Sequence, residues 1–204
     1  MKNPLRFPIF LVTLLAGFAQ AATTLVGLET DYTGPPSTSI NTSVSQSRNL
    51  SNLAGLTPGQ TIQLQFIPDD PMTWDGSLFY PAGDLLLTWT GIIEISVGGH
   101  LLTYTDTWSL EALNAPEGGP GGVFGYDVPG PAPVLRTLDL PWGTDLSNVT
   151  ITLRDLSTFS GGDFHASSLQ LSGTLRTVSV PEPSAILLSI ILPAVMLGRR
   201  RRNA

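Results

Sequence analysis

The 204-residue chain contains no cysteine. This absence excludes a thiol nucleophile, a thiolate zinc site and a disulfide framework. A folded domain of this chain must therefore be stabilised by its hydrophobic core alone, or by bound ions. Hydrophobic residues make up 42% of the sequence, which is enough to build such a core.

Basic residues are scarce in the middle of the chain. Between Ala22 and Pro181 there is no lysine, and four arginines stand against fifteen acidic residues, a net charge of −11. A domain of this kind has no cationic patch that could replace the counterions of a phosphate backbone. Nucleic acid is therefore excluded as a partner.

Charged residues are also few, at 13% of the chain, whereas 21 glycines and 17 prolines supply many turns. Between these turns apolar residues alternate with polar ones, the two-residue period of half-buried strands. Ile62, Leu64 and Phe66 form one such series, and Leu102, Tyr104 and Trp108 form another. The sequence predicts an all-β domain over residues 22–179, an antiparallel β-sandwich of eight to ten strands with jelly-roll-like order.

Individual strands can be placed along this domain. Ile93, Ile95 and Val97 are followed by Gly98-Gly99, a pair typical of a tight hairpin turn. Later strands are expected at 134–140, 149–153 and 167–178, and in the last Leu169, Leu171, Leu175 and Val178 are expected to face inward. Residues 37–52 read as an edge strand or an exposed loop, and 114–133 as a long loop.

The N-terminal end has the features of a secretory signal peptide. Lys2 and Arg6 precede the apolar run Phe7–Phe18, and Ala19-Gln20-Ala21 matches the small-x-small cleavage pattern. We therefore expect residues 1–21 to be a signal peptide, with Ala19 and Ala21 setting the cleavage site, and the domain to be exported.

The C-terminal end, residues 180–204, combines three elements. Val180, Pro181, Glu182, Pro183 and Ser184 form a short motif; an apolar segment covers 185–198; and a basic cluster follows, Arg199, Arg200, Arg201 and Arg202. As a helix, the apolar segment would be about 21 Å long, short of a hydrocarbon core of about 30 Å. The arginines favour a cytoplasmic, stop-transfer position. A short transmembrane helix of this kind suits a transient signal better than a permanent anchor.

These three elements, in this order, resemble the PEP-CTERM sorting signal of exported Gram-negative bacterial proteins. The resemblance covers about 25 residues, and Pro193 within a short apolar segment departs from the pattern. It implies processing by an exosortase, a membrane protease-transpeptidase, in systems that accompany extracellular polysaccharide and the biofilm matrix. It also implies a precursor held transiently in the inner membrane and a product at the cell surface or in the extracellular matrix.

The domain offers few candidates for chemistry. Four aspartates, Asp69, Asp70, Asp75 and Asp84, supply the hard oxygens that calcium prefers, although their spacing is not that of an EF-hand loop. His100 and His165 are expected to be ordinary loop residues, because the nucleophile elbow of a serine hydrolase is absent from the sequence. We therefore expect no catalytic residue, no cofactor other than possible calcium, and no enzymatic activity.

The sequence leaves three functions open. The first is a non-enzymatic structural or binding domain at the cell surface or in the matrix. The second is a calcium-dependent polysaccharide-binding module, for which Trp74, Trp89 and Trp142 are among the aromatic residues that could stack on sugars. The third is a hydrolase of matrix polymer that uses paired acids such as Asp69 and Asp163.

Overall fold

A computed structural model of the chain describes residues 22–51, 61–117, 123–130 and 134–180. The predicted signal peptide (1–21) and residues 181–204 of the predicted sorting signal lie outside the described residues. Among the described residues every regular element is a strand, so they include no helix that could cross a membrane.

Eleven strands are present in the described residues. In chain order they are β1 (Thr23–Tyr32), β2 (Thr42–Arg48), β3 (Thr61–Pro68), β4 (Thr73–Phe79), β5 (Gly83–Val97), β6 (His100–Ala115), β7 (Val123–Pro129), β8 (Arg136–Leu140), β9 (Val149–Asp155), β10 (Thr158–Ser160) and β11 (Asp163–Val180).

Two antiparallel sheets are each built around one long strand. In the first sheet, β11 pairs with β1 along one edge and with β4 and β3, end to end, along the other; β7 and β8 extend this second side. In the second sheet, β5 pairs with β6 along one edge and with β10 and β9, end to end, along the other, and β2 pairs with β9. The predicted all-β, two-sheet antiparallel architecture is confirmed, although the described residues form eleven strands and not the eight to ten expected. Its jelly-roll-like order stays a prediction.

One hydrophobic core lies between the sheets. It forms because alternating apolar residues of each strand face the opposite sheet. Ile62, Leu64 and Phe66 come from the first sheet, and Ile93 and Ile95 from the second; all are at most 3% exposed. The inward faces predicted for these two strands are confirmed.

The predicted hairpin between β5 and β6 is confirmed by its backbone. Gly98 and Gly99 both have positive φ, 52° and 82°, and Val97 pairs directly with His100 across the turn. Such a turn matches the twist of the paired strands, and glycine adopts its conformation without steric cost.

Residues 114–133, expected to be a long loop, contain strand β7 instead. β7 pairs with β4 over its whole length, and Tyr126 and Val128 pack against the core. Glycines and prolines around a short strand concealed its alternation. In residues 37–52, by contrast, the edge-strand alternative is confirmed, because β2 lies at the edge of the second sheet.

The inward face of β11 differs from the expectation at one position. Leu169, Leu171 and Leu175 are buried as predicted, but the next inward position is Thr177, which has no exposure to solvent. The inward orientation predicted for Val178 is wrong: this residue is only half-buried, because strand alternation places it on the opposite face from Thr177.

Candidate functional site

A groove opens on the outer face of the first sheet where β3 and β4 separate along β11. β11 pairs with β4 as far as Gln170 and with β3 from Gly173, so the loop of residues 69–72 bridges the interval. Asp69 N–H donates to the Ser172 carbonyl oxygen at 3.1 Å and fixes this loop against the strand. The groove has a volume of about 390 Å³ and is lined by Gly27, Leu28, Glu29, Asp70, Pro71, Thr73, Gln170, Leu171 and Ser172.

The chemistry of this groove is that of hydrogen bonding. Glu29 and Gln170 are register partners, and Gln170 Nε2 donates to Glu29 Oε1 at 3.2 Å. Thr73 pairs with Gln170 from the opposite side, and Gly27 leaves open space where a side chain would stand. The groove could therefore accept hydrogen bonds from hydroxyl or amino groups of a ligand.

A second polar cluster, centred on Asp155, lies inside the sandwich. Asp155 has no solvent exposure and ends β9; its Oδ1 accepts a hydrogen bond from Ser157 N at 3.1 Å and another from Ser157 Oγ. Its Oδ2 accepts from Ser167 Oγ of β11 at 3.2 Å, so the cluster joins the two sheets. Burial raises the pKa of this carboxyl group, and the hydrogen bonds from Ser157 and Ser167 oppose the rise.

Aromatic residues surround the Asp155 cluster. Tyr126 OH donates to the Ala166 carbonyl oxygen at 3.3 Å, and burial raises the pKa of this phenol strongly. The indole N–H groups of Trp74 and Trp89 are buried without a hydrogen bond of normal geometry, but Trp74 lies close enough to favour the charged form of Asp155. Because Asp155, Ser157 and Ser167 are buried, the carboxyl group cannot meet a ligand in this conformation.

A third polar contact closes the side of the sandwich between β6 and β8. The Arg136 guanidinium lies over the Tyr104 ring, 3.8 Å from its centroid, an arrangement that favours a cation–π interaction. Asp106, 6% exposed, is on the same inward side of β6; burial raises its pKa, while Thr107 and Arg136 oppose the rise. This contact serves to join the sheets.

The four aspartates proposed for calcium are not brought into one site. Asp69 and Asp70 lie beside Ser172, Asp75 pairs with Ser168, and the Asp84 carbonyl approaches Gly161. Ser168 and Ser172 are four residues apart on β11, about 13 Å at strand geometry, and Gly161 lies in the turn before that strand. Asp84 also accepts a hydrogen bond from Asn114 N at 2.8 Å. In the described part of the chain, no three acidic or histidine residues are grouped so as to hold a metal ion.

The acid pair considered for hydrolysis is likewise separated. Asp69 lies beside Ser172, whereas Asp163 begins β11 and pairs with Phe79. The interval of nine residues corresponds to about 30 Å, well beyond the roughly 5–10 Å between the two carboxyl groups of a glycosidase.

The remaining candidates have structural positions. His100 begins β6 after the hairpin turn, and His165 lies at a bulge in β11 with its ring 6.3 Å from that of Phe79. Trp74 and Trp89 are in the core and cannot stack on an external sugar, whereas Trp142 is 41% exposed. The groove and the Asp155 cluster were missed by sequence reasoning, because both join residues far apart in the chain.

Val180, the first residue of the predicted sorting motif, is the last residue of β11. Pro181, Glu182, Pro183 and Ser184, the arginines 199–202, and Ala19 and Ala21 of the predicted signal peptide all lie outside the described residues. Neither a protein-family model nor a curated protein sequence matches the chain.

Proposed function

We propose that this chain is an exported protein with a removable C-terminal sorting signal. In this proposal an exosortase-type protease-transpeptidase recognises residues 180–184, and the β domain is left at the cell surface or in the extracellular matrix. The observation that carries the proposal is the order of motif, apolar segment and arginine cluster in residues 180–204.

The position of the two ends of the described domain supports this arrangement. Thr23 of β1 pairs with Arg176 of β11, and Thr177 N–H donates to the Ala22 carbonyl oxygen at 3.0 Å. Val180 is three residues further along, about 10 Å away at strand geometry. Both ends of the described domain therefore lie at the same end of the sandwich, which suits a precursor held by both ends at one membrane.

The β domain itself is proposed to have a non-enzymatic structural or binding part. A raised pKa is a property of many general acids, but Asp155, which has one, has no exposure to solvent. The groove beside Glu29 and Gln170 favours the second candidate, a polysaccharide-binding module, because its polar groups can accept hydrogen bonds from sugar hydroxyls. Calcium dependence of such binding stays a prediction.

Intact-mass measurement of the protein recovered from its host culture tests the sorting proposal. We expect a polypeptide that begins at Ala22 or Thr23 and lacks Asn203-Ala204. Recovery of external protein that still ends in Asn203-Ala204 would overturn the proposal.

A motif variant sharpens this test. Glu182→Gln removes the single carboxylate of the motif, and we expect uncleaved precursor to accumulate in the membrane fraction. Ser179→Ala is the matched control, since it lies in β11 just before the motif and should be processed normally. Equal processing of both variants would show that the Glu182 carboxylate is not needed for recognition.

A further inference from the structure

The outer face of the second sheet presents ordered rows of serine and threonine hydroxyl groups. Four cross-strand pairs have their oxygen atoms within 3.5 Å: Ser45–Thr152, Ser47–Thr150, Thr88–Ser109 and Thr90–Thr107. Thr103 and Thr105 continue the row on the exposed side of β6. These ten residues, from β2, β9, β5 and β6, form what we call the hydroxyl face.

The registers of the strands make this face a regular lattice. Ser45 pairs with Thr152, Thr152 with Glu94, and Glu94 with Thr103, so one row crosses all four strands. Neighbouring strands lie about 4.8 Å apart, and successive outward residues of a strand about 6.8 Å apart. Each hydroxyl group has one donor and two acceptor sites, so the paired hydroxyls keep capacity for further hydrogen bonds to a partner.

This face differs in charge from the opposite face of the sandwich. Its central charges, Arg154 and Glu94, form an ion pair at 3.5 Å and neutralise each other. On the outer face of the first sheet, by contrast, Asp31, Asp75 and Asp127 fall in one row with Ser168 between the first two. A cationic ligand would therefore be attracted to the first sheet. The hydroxyl face, whose central charges are paired, suits an uncharged ligand.

From this chemistry we propose that the hydroxyl face binds an extended neutral polysaccharide. A polyanion is disfavoured by the net charge of −11 between Ala22 and Pro181. A protein partner is disfavoured because the cores of protein interfaces are apolar and aromatic. Exposed leucines of these strands, such as Leu86 and Leu101, lie toward the two ends of the face, and the hydroxyl rows lie between them. An uncharged polyhydroxyl chain offers both donors and acceptors, as the face does.

The expected binding is weak for each sugar and strong only for a long chain. A hydrogen bond exchanged with water changes affinity by roughly two- to tenfold. Many such bonds must therefore form together, which a polymer achieves by multivalency. This inference goes beyond the groove beside Gln170, because it assigns a separate, calcium-independent polysaccharide site to the opposite sheet. It rests on the proposed export only for where the polymer would be encountered.

Sedimentation of the full chain with insoluble cellulose, in a detergent without sugar groups, tests the proposal. The triple variant Thr103→Val, Thr105→Val, Thr107→Val removes three hydroxyls at nearly constant shape, and we expect at least a tenfold loss of retention. The matched control is Thr61→Val, Thr137→Val, Thr174→Val on the outer face of the first sheet, which should bind as the native chain does. Chelator should leave binding unchanged.

A second pair of variants distinguishes loss of binding from aggregation of the triple-valine variant. Thr105→Glu introduces a charge into the hydroxyl face and should also reduce retention, whereas Thr137→Glu on the other sheet should not. The proposal is overturned if the native chain is not retained on cellulose, if it is retained only on cationic chitosan or anionic alginate, or if both variants of a pair bind equally. Because the assay uses purified chain, its outcome is independent of whether residues 180–204 are processed.

Discussion

The carboxyl group of Asp155 is inside the sandwich, and burial raises its pKa above that of an exposed aspartate. The folded state therefore keeps this proton to a higher pH than the unfolded state does. The contribution of Asp155 to stability is greatest below the ordinary aspartate pKa of about 4, and it decreases as the pH rises through the raised, folded-state pKa. The side chains around this carboxyl group, Ser157, Ser167, Trp74 and Tyr126, are uncharged.

Asp155→Asn should remove this pH dependence. The amide keeps an acceptor for Ser157 but has no proton to lose, so its free energy of unfolding should fall less between about pH 4 and pH 8 than that of the native chain. Over this range the free energy of unfolding of the native chain should fall further than that of the variant, by roughly 1.4 kcal/mol for each unit by which the pKa is raised. Urea unfolding at a series of pH values measures it. Asp106, whose pKa is also raised, contributes the same pH dependence to both chains, so its contribution cancels in the comparison. Parallel plots of the free energy of unfolding against pH would contradict the prediction.

Thr177 is a buried residue whose hydroxyl is not satisfied. Its side chain has no exposure, and its Oγ1 has no hydrogen-bond partner. Thr177→Val replaces the hydroxyl with a methyl group of similar size, so we expect the free energy of unfolding to rise by about 1 kcal/mol. Thr174→Val on the outer face of the same strand is the control and should change stability little. Destabilisation by Thr177→Val in urea unfolding would show that the hydroxyl has an unrecognised partner.

At the scale of elements, the β5–β6 hairpin depends on its two glycines. Gly99 has φ 82° and open space where a Cβ would stand, so Gly99→Ala should cost only the backbone strain, roughly 1–2 kcal/mol. A Cβ at Gly98 would meet Thr144 Cγ2 at 2.6 Å, so Gly98→Ala should cost more. Gly99→Asn should be the mildest change, because asparagine tolerates positive φ. Thermal or urea unfolding of the three variants gives the order, and an equal cost at both glycines would refute the role of Thr144.

The elements also show where sequence patterns suffice. The alternation of β3 and β5 identifies their inward faces because Ile62, Leu64 and Phe66 in β3, and Ile93, Ile95 and Val97 in β5, occupy every second position. It does not reveal β7, because only Tyr126 and Val128 of the described side chains of this strand pack against the core. In β11, Thr177 takes an interior position that apolar periodicity assigns to a hydrophobic residue, so the pattern points to Val178 instead.

At the scale of the whole molecule, the two sheets present different chemistry to their surroundings. One carries acidic residues and a polar groove, and the other carries the hydroxyl face. Both ends of the described domain, Ala22 and Val180, lie at the same end of the first sheet. The proposed delivery by way of a membrane and the proposed binding through an outer face therefore use different parts of the sandwich.

The sequence alone determined the all-β class, the positive-φ hairpin and the inward faces of several strands, because each depends on residues close together in the chain. It also contains the terminal segments from which export is predicted. Tertiary structure alone decided the burial of Asp155, the groove beside Gln170, the dispersal of the four aspartates and the rows of the hydroxyl face. Each of these depends on strand pairing between distant segments, and the register of such pairing is set by packing of the whole core rather than by any local pattern.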